Sequence, residues 1–187
     1  MKKFFVALIV ASLFTSLAHA APITFTDTTL FTTTGTTASE DLQSYGWGDV
    51  NKLDGTLDYV YWKHFFTFVP PAGEILNATL KIYLQDDERD TLNPFSWEFA
   101  FGASETGNWD FGDVDTDTYA YGLDISYLTD GAFGVKVAST WGDFYIGKSE
   151  LEVSYEPVPE PSTVLLLGAG LAALGYFGRR RKMSGEA

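Results

Sequence analysis

No cysteine occurs among the 187 residues, which excludes disulfides, thiolate metal sites, iron–sulfur clusters and a cysteine nucleophile. Histidine is almost as scarce, present only as His19 and His64, so a serine or threonine nucleophile has few imidazole bases to draw on. Cations are few as well: 12 Lys and Arg stand against 25 Asp and Glu, for a formal net charge of −13. Half of those cations lie at the extreme ends, as Lys2, Lys3, Arg179, Arg180, Arg181 and Lys182. Between residues 21 and 156 only Lys52, Lys63, Lys81, Arg89, Lys136 and Lys148 remain to face nearly all the carboxylates. Nucleic-acid binding requires clustered Lys and Arg, and this balance excludes it.

The two ends read as addresses. Lys2 and Lys3 precede a mostly apolar run over residues 4–14, followed by Ala18-His19-Ala20 before Ala21. Charge, apolar stretch and small residues in that order form a secretory signal, with Ala18 and Ala20 placed for signal peptidase. His64 is then the only imidazole of the mature chain. At the other end, Pro159-Glu160-Pro161 is followed by an uncharged apolar run over residues 164–177 and then by Arg179, Arg180, Arg181 and Lys182. Those 14 residues would reach about 21 Å as a helix at ~1.5 Å each, short of a hydrocarbon core of about 30 Å. The segment is a weak, short transmembrane helix whose basic tip stays in the cytoplasm, leaving the Pro-Glu-Pro link on the outer face of the inner membrane.

Pro-Glu-Pro, apolar helix and Arg cluster in this order resemble the PEP-CTERM sorting signal of Gram-negative bacteria. The resemblance covers residues 157–182 and implies an exosortase as partner, a transient hold in the inner membrane, and delivery to the cell surface or extracellular matrix. It also implies association with exopolysaccharide or biofilm. The expected organisation is a signal peptide at 1–20, a folded domain at 21–156 and the sorting signal at 157–187.

The folded part shows strand alternation and little helical periodicity. Residues 75–84 place Leu76, Ala78, Leu80, Ile82 and Leu84 on one face and Asn77, Thr79, Lys81 and Tyr83 on the other. Residues 59–69 alternate likewise, with Val60, Trp62, His64, Phe66 and Phe68 in phase, and the two segments read as neighbouring strands. Further strands are expected at 23–31, 97–101, 119–125, 133–138, 144–146 and 151–155. About eight or nine short strands with turn signals between them predict an all-β, antiparallel β-sandwich, jelly-roll-like in preference to immunoglobulin-like. The tract 65–84 is similar to one in exported bacterial β-sandwich domains, which supports the sandwich and implies no activity.

Two acidic clusters are candidate calcium sites, because convergent carboxylates repel unless screened and calcium takes six to eight oxygen ligands. One is Asp86, Asp87, Glu88 and Asp90, with Arg89 as a local counter-charge. The other is Asp113, Asp115 and Asp117, which starts like an EF-hand loop but has Thr118 where glycine is needed and Asp124 where glutamate is usual. The alternative for both is a solvated acidic loop. Trp47, Trp109 and Trp141 lie in or beside glycine-containing stretches, where they would stack on sugar rings or cap the sandwich. No nucleophile elbow or zinc motif occurs, and His64 sits in the apolar phase of its strand, which makes it a core residue before a catalytic one. The expectation is a non-enzymatic exported matrix protein. A hydrolase using paired carboxylates and a permanently anchored adhesin are the alternatives.

Overall fold

The computed structural model describes residues 21–37, 41–46, 49–87, 97–158, 168–170 and 172. Ala21–Pro157 forms one compact unit; a second comprises Met1–Ala20 and Val158–Ala187. In the second unit residues 168–170 and 172 are helical. Among the described residues no helix is long and apolar enough to cross a membrane. Most of the apolar run at 164–177 lies outside them.

The first unit is all-β. Its described strands are β1 (Ile23–Thr32), β2 (Gly35–Thr36), β3 (Gln43–Tyr45), β4 (Lys52–Leu53), β5 (Tyr59–Phe65), β6 (Ala72–Asp86), β7 (Phe99–Ser104), β8 (Gly107–Asp113), β9 (Asp117–Gly122), β10 (Ala132–Trp141) and β11 (Phe144–Pro157). They form two antiparallel sheets. The larger has the order β2-β1-β11-β6-β9, with β4 on the near end of β11, and the smaller has the order β3-β5-β10-β7-β8.

Period-two alternation supplies the core. Val60 and Trp62 of β5, and Phe133, Val135 and Val137 of β10, are fully buried, as are Leu80, Ile82 and Leu84 of β6 and Leu151 and Val153 of β11. The inner faces meet through packed rings such as Phe31 against Trp62, with centroids 4.8 Å apart and nearly perpendicular. Burying one large apolar side chain contributes roughly 1.5–3 kcal/mol, so this doubly lined interior is the main source of stability.

Several expectations need correction. Strands β5 and β6 are not neighbours: β5 pairs with β10 and β3, and β6 with β11 and β9. The chain leaves β5 after Phe65 and crosses to the other sheet, with Phe68 packed on Tyr155 at 4.5 Å on the way. Alternation reports which face is buried and carries no information on the partner strand. Leu76 is 40% exposed, while Ile75 packs on the core. A register shift between Ser154 and Tyr155 reverses the phase there, as an inserted residue must. The segments at 144–146 and 151–155 are one strand, bulged beside Gly147, where an added Cβ would lie 2.6 Å from the Tyr83 ring. Residues 125–127 form a 3-10 turn capped by Asp124, not the end of a strand. Strand β8 is missing from the expected strands because its glycines obscure the alternation.

Candidate functional site

The outer face of the smaller sheet carries an open groove of about 320 Å³ lined by Asp41, Gln43, Tyr59, Tyr61, Lys63 and Lys136. Its construction follows from strand phase. With Val60, Trp62 and His64 turned inward, Tyr59, Tyr61 and Lys63 must face out. Pairing sets Tyr45 beside Tyr59, Gln43 beside Tyr61, and Lys136 of β10 opposite Tyr61. The Tyr45 and Tyr59 rings stack at 6.0 Å with an 18° interplanar angle. Lys136 Nζ lies 3.7 Å from the centre of the Tyr59 ring, and Lys63 Nζ lies 2.8 Å from Asp41 Oδ2. The middle of the face is floored by small side chains: Ala138 sits between Tyr59 and Phe101, and Ala103 is opposite Lys136. Phe101 is 38% exposed and Trp141, at the end of β10, 48%. Flat rings beside carboxylate, amide and ammonium groups can take a sugar by stacking and hydrogen bonding together.

The three tryptophans singled out by sequence do not make this surface together. Trp141 lies on it. Trp109 pairs with Gly102, on the inward phase of β7, and its ring stacks on Tyr121 at 4.9 Å. An added Cβ at Gly102 would lie 2.6 Å from that indole, so the glycine makes room for it. Trp47 lies outside the described residues. Sequence reasoning passed over the groove tyrosines, although the outward phase of residues 59–65 is their signal.

A second cluster lies where strand ends meet. Asp86 closes β6 and Asp87 follows it, Glu98 precedes β7, and Asp143 sits in the turn between β10 and β11. Asp86, Asp87 and Glu98 each offer an oxygen, all within 4.8 Å of one another. Lys52 Nζ bridges Asp87 Oδ2 at 3.0 Å and Asp143 Oδ2 at 2.6 Å. Glu98 is only 3% exposed, and neither its Oε2 nor Asp87 Oδ1, both buried, has a hydrogen-bond partner. Burial, reinforced by the charges of Asp86, Asp87 and Asp143, pushes the Glu98 carboxyl up to about 9. Burial also raises Asp87, whereas the Lys52 hydrogen bond holds Asp143 below the usual carboxylate range. Of the residues proposed from sequence, Asp86 and Asp87 are here, and Glu88 and Asp90 lie outside the described residues. Glu98 and Asp143 come from distant segments and give no linear signal.

Asp113, Asp115 and Asp117 do not gather: among the described residues Asp86, Asp87 and Glu98 are the group with metal-ligand spacing. Asp113 Oδ1 accepts the Glu98 backbone N–H at 3.1 Å, and Asp117 Oδ1 that of Thr118 at 2.6 Å. Two of these aspartates end β8 and begin β9, and an extended chain cannot wrap an ion as a twelve-residue loop does.

His64 is fully buried and joins the two sheets. Its Nδ1 lies 2.7 Å from Asp27 Oδ2 and its Nε2 2.8 Å from Ser149 Oγ. The atom order is that of a serine-hydrolase triad, but Ser149 and His64 are both 0% exposed, so no substrate reaches them in this fold.

Against known proteins, residues 157–182 match the PEP-CTERM protein-sorting motif. No curated protein matches the chain. The motif marks an exported chain whose C-terminal sorting region is held at the membrane and handled by an exosortase. Pro159, Glu160, Pro161 and the basic residues Arg179, Arg180, Arg181 and Lys182 that belong to it lie outside the described residues, as do Ala18 and Ala20.

Proposed function

We propose that this chain, which carries the PEP-CTERM sorting motif, is a non-catalytic matrix protein that binds exopolysaccharide through the outer face of its smaller sheet. The groove over Tyr59 and Tyr61 carries the reading. It offers about 320 Å³ of open space, the rings of Tyr59 and Tyr61, and two of the folded domain's few lysines beside a carboxylate and an amide, with Tyr45 stacked on Tyr59 next to it. A polymer running along a sheet face needs such an open trough, whereas a small-molecule site encloses its ligand.

The strand orders β1-β11-β6-β9 and β5-β10-β7-β8 are those of two interleaved Greek keys, which supports a jelly-roll reading of the sandwich. Burial of His64 and Ser149 supports a structural role for the Asp27–His64–Ser149 set and a non-catalytic role for the domain. Removal of the C-terminal tail would release the sandwich into the matrix, where its polymer is.

The test is affinity electrophoresis of the exported protein through gels containing the producing cell's own exopolysaccharide. Retardation should fall several-fold in Tyr59→Ala and in Tyr61→Ala, with unchanged far-ultraviolet circular dichroism. Equal retardation of both variants and the parent would overturn the assignment of this face.

A further inference from the structure

We propose that the carboxylates of Asp86, Asp87 and Glu98, with Asp143 beside them, form a calcium site that ties the end of β6 to the start of β7 and to the β10–β11 turn. Acidic residues alone would not justify this, since solvated carboxylates are common. Glu98 sets this cluster apart. Its side chain is 97% buried, taking the 3% exposure as the remainder, and its Oε2 has no donor. Asp87 Oδ1 is buried and donorless too. Lys52 does not supply the missing charge, because its ammonium is spent on the Oδ2 atoms of Asp87 and Asp143. Buried acceptors facing other acceptors need a proton donor or a cation between them.

The spacing admits calcium. Two oxygens bound to one calcium at about 2.4 Å can be at most about 4.8 Å apart, and the three oxygens lie within 4.8 Å of one another. Magnesium, at about 2.1 Å with strict octahedral geometry, demands a tighter set, and zinc prefers nitrogen or sulfur ligands. The ligands come from segments already held in place. Gly142, at φ +73°, lets the turn approach so closely that an added Cβ would be 2.6 Å from Glu98 Cγ. Water would complete the coordination shell, as it does in other calcium sites.

Thermal melts and titration calorimetry on the full-length protein test this, with CaCl2 compared against MgCl2 at equal ionic strength after chelation. At a calcium concentration about 100-fold above the dissociation constant, the melting temperature should rise by about 5–10 °C. Glu98→Gln and Asp87→Asn should each lose most of that shift and the calorimetric signal. Glu98→Gln keeps the shape of a neutral carboxyl and should fold, so it remains informative if Asp87→Asn does not. Absence of a shift, an equal shift with magnesium, or an undiminished calcium response in the folded variants would each overturn the site. Polysaccharide retardation is read separately and bears on the tyrosine face alone.

Discussion

Removing the carboxylate of Asp27 should cost far more stability than removing the hydroxyl of Ser149, although both contact the same imidazole at nearly equal distances. The reason is the tautomer. Trp62 Nε1, which can only donate, points at His64 Nε2 at 3.3 Å, so Nε2 must be the bare nitrogen and Nδ1 carries the proton toward Asp27. Ser149→Ala deletes one of two donors to Nε2 and leaves the indole in place, a loss of about 1 kcal/mol for an ordinary hydrogen bond. Asp27→Ala leaves a buried N–H without an acceptor and removes a charge-assisted bond, which costs about 2–3 kcal/mol. Asp27→Asn, whose amide oxygen can still accept, should fall between them. Urea denaturation followed by tryptophan fluorescence gives the three values, and at about 2–4 °C per kcal/mol for a chain of this size thermal melts should rank them identically. If Ser149→Ala proved as costly as Asp27→Ala, the assigned tautomer would be wrong. Ester turnover by the parent that vanished in Ser149→Ala would refute the structural role altogether.

Other perturbations have equally definite outcomes. Gly142→Ala should destabilise by about 1–2 kcal/mol or more, because its φ is +73° and the new Cβ would sit 2.8 Å from the Trp97 carbonyl oxygen, whereas Gly122→Ala meets nothing within 4 Å and should be near neutral. Burial, then the neighbouring Tyr119 and Asp110, raises the Tyr121 phenol from 10.0 to about 12. The folded state therefore keeps a proton that the unfolded state gives up, and stability falls as pH rises through that window. Phenolate absorbance should show a late step near 12 that is missing in Tyr121→Phe. Finally, Glu160→Ala should leave Arg179, Arg180, Arg181 and Lys182 on the protein, which intact mass of the membrane and medium fractions would reveal. Normal maturation of that variant would mean that Glu160 plays no part in recognition.

Much of this protein is legible in the order of its residues. A sorting motif is read by its receptor as a linear segment, so the order of Pro-Glu-Pro, apolar run and basic cluster suffices to recognise the one at residues 157–182. Alternation places Val60, Trp62 and His64 inside on β5, Leu80, Ile82 and Leu84 inside on β6, and Leu151 and Val153 inside on β11, because a buried face needs apolar side chains at every second residue. That pattern determined a two-layered β domain and its core. It left the pairing open, since any apolar face fits against any other, and the expectation that β5 and β6 are neighbours fails for that reason. Only the tertiary structure decided which sheet each strand joins. It thereby set Tyr59 and Tyr61 beside Lys136, brought Glu98 from the start of β7 to Asp86 and Asp87 at the end of β6, and drew Asp27, His64 and Ser149 from three strands into one hydrogen-bonded set. Groups far apart along a chain interact only once backbone pairing has fixed their positions, and that pairing belongs to the whole fold.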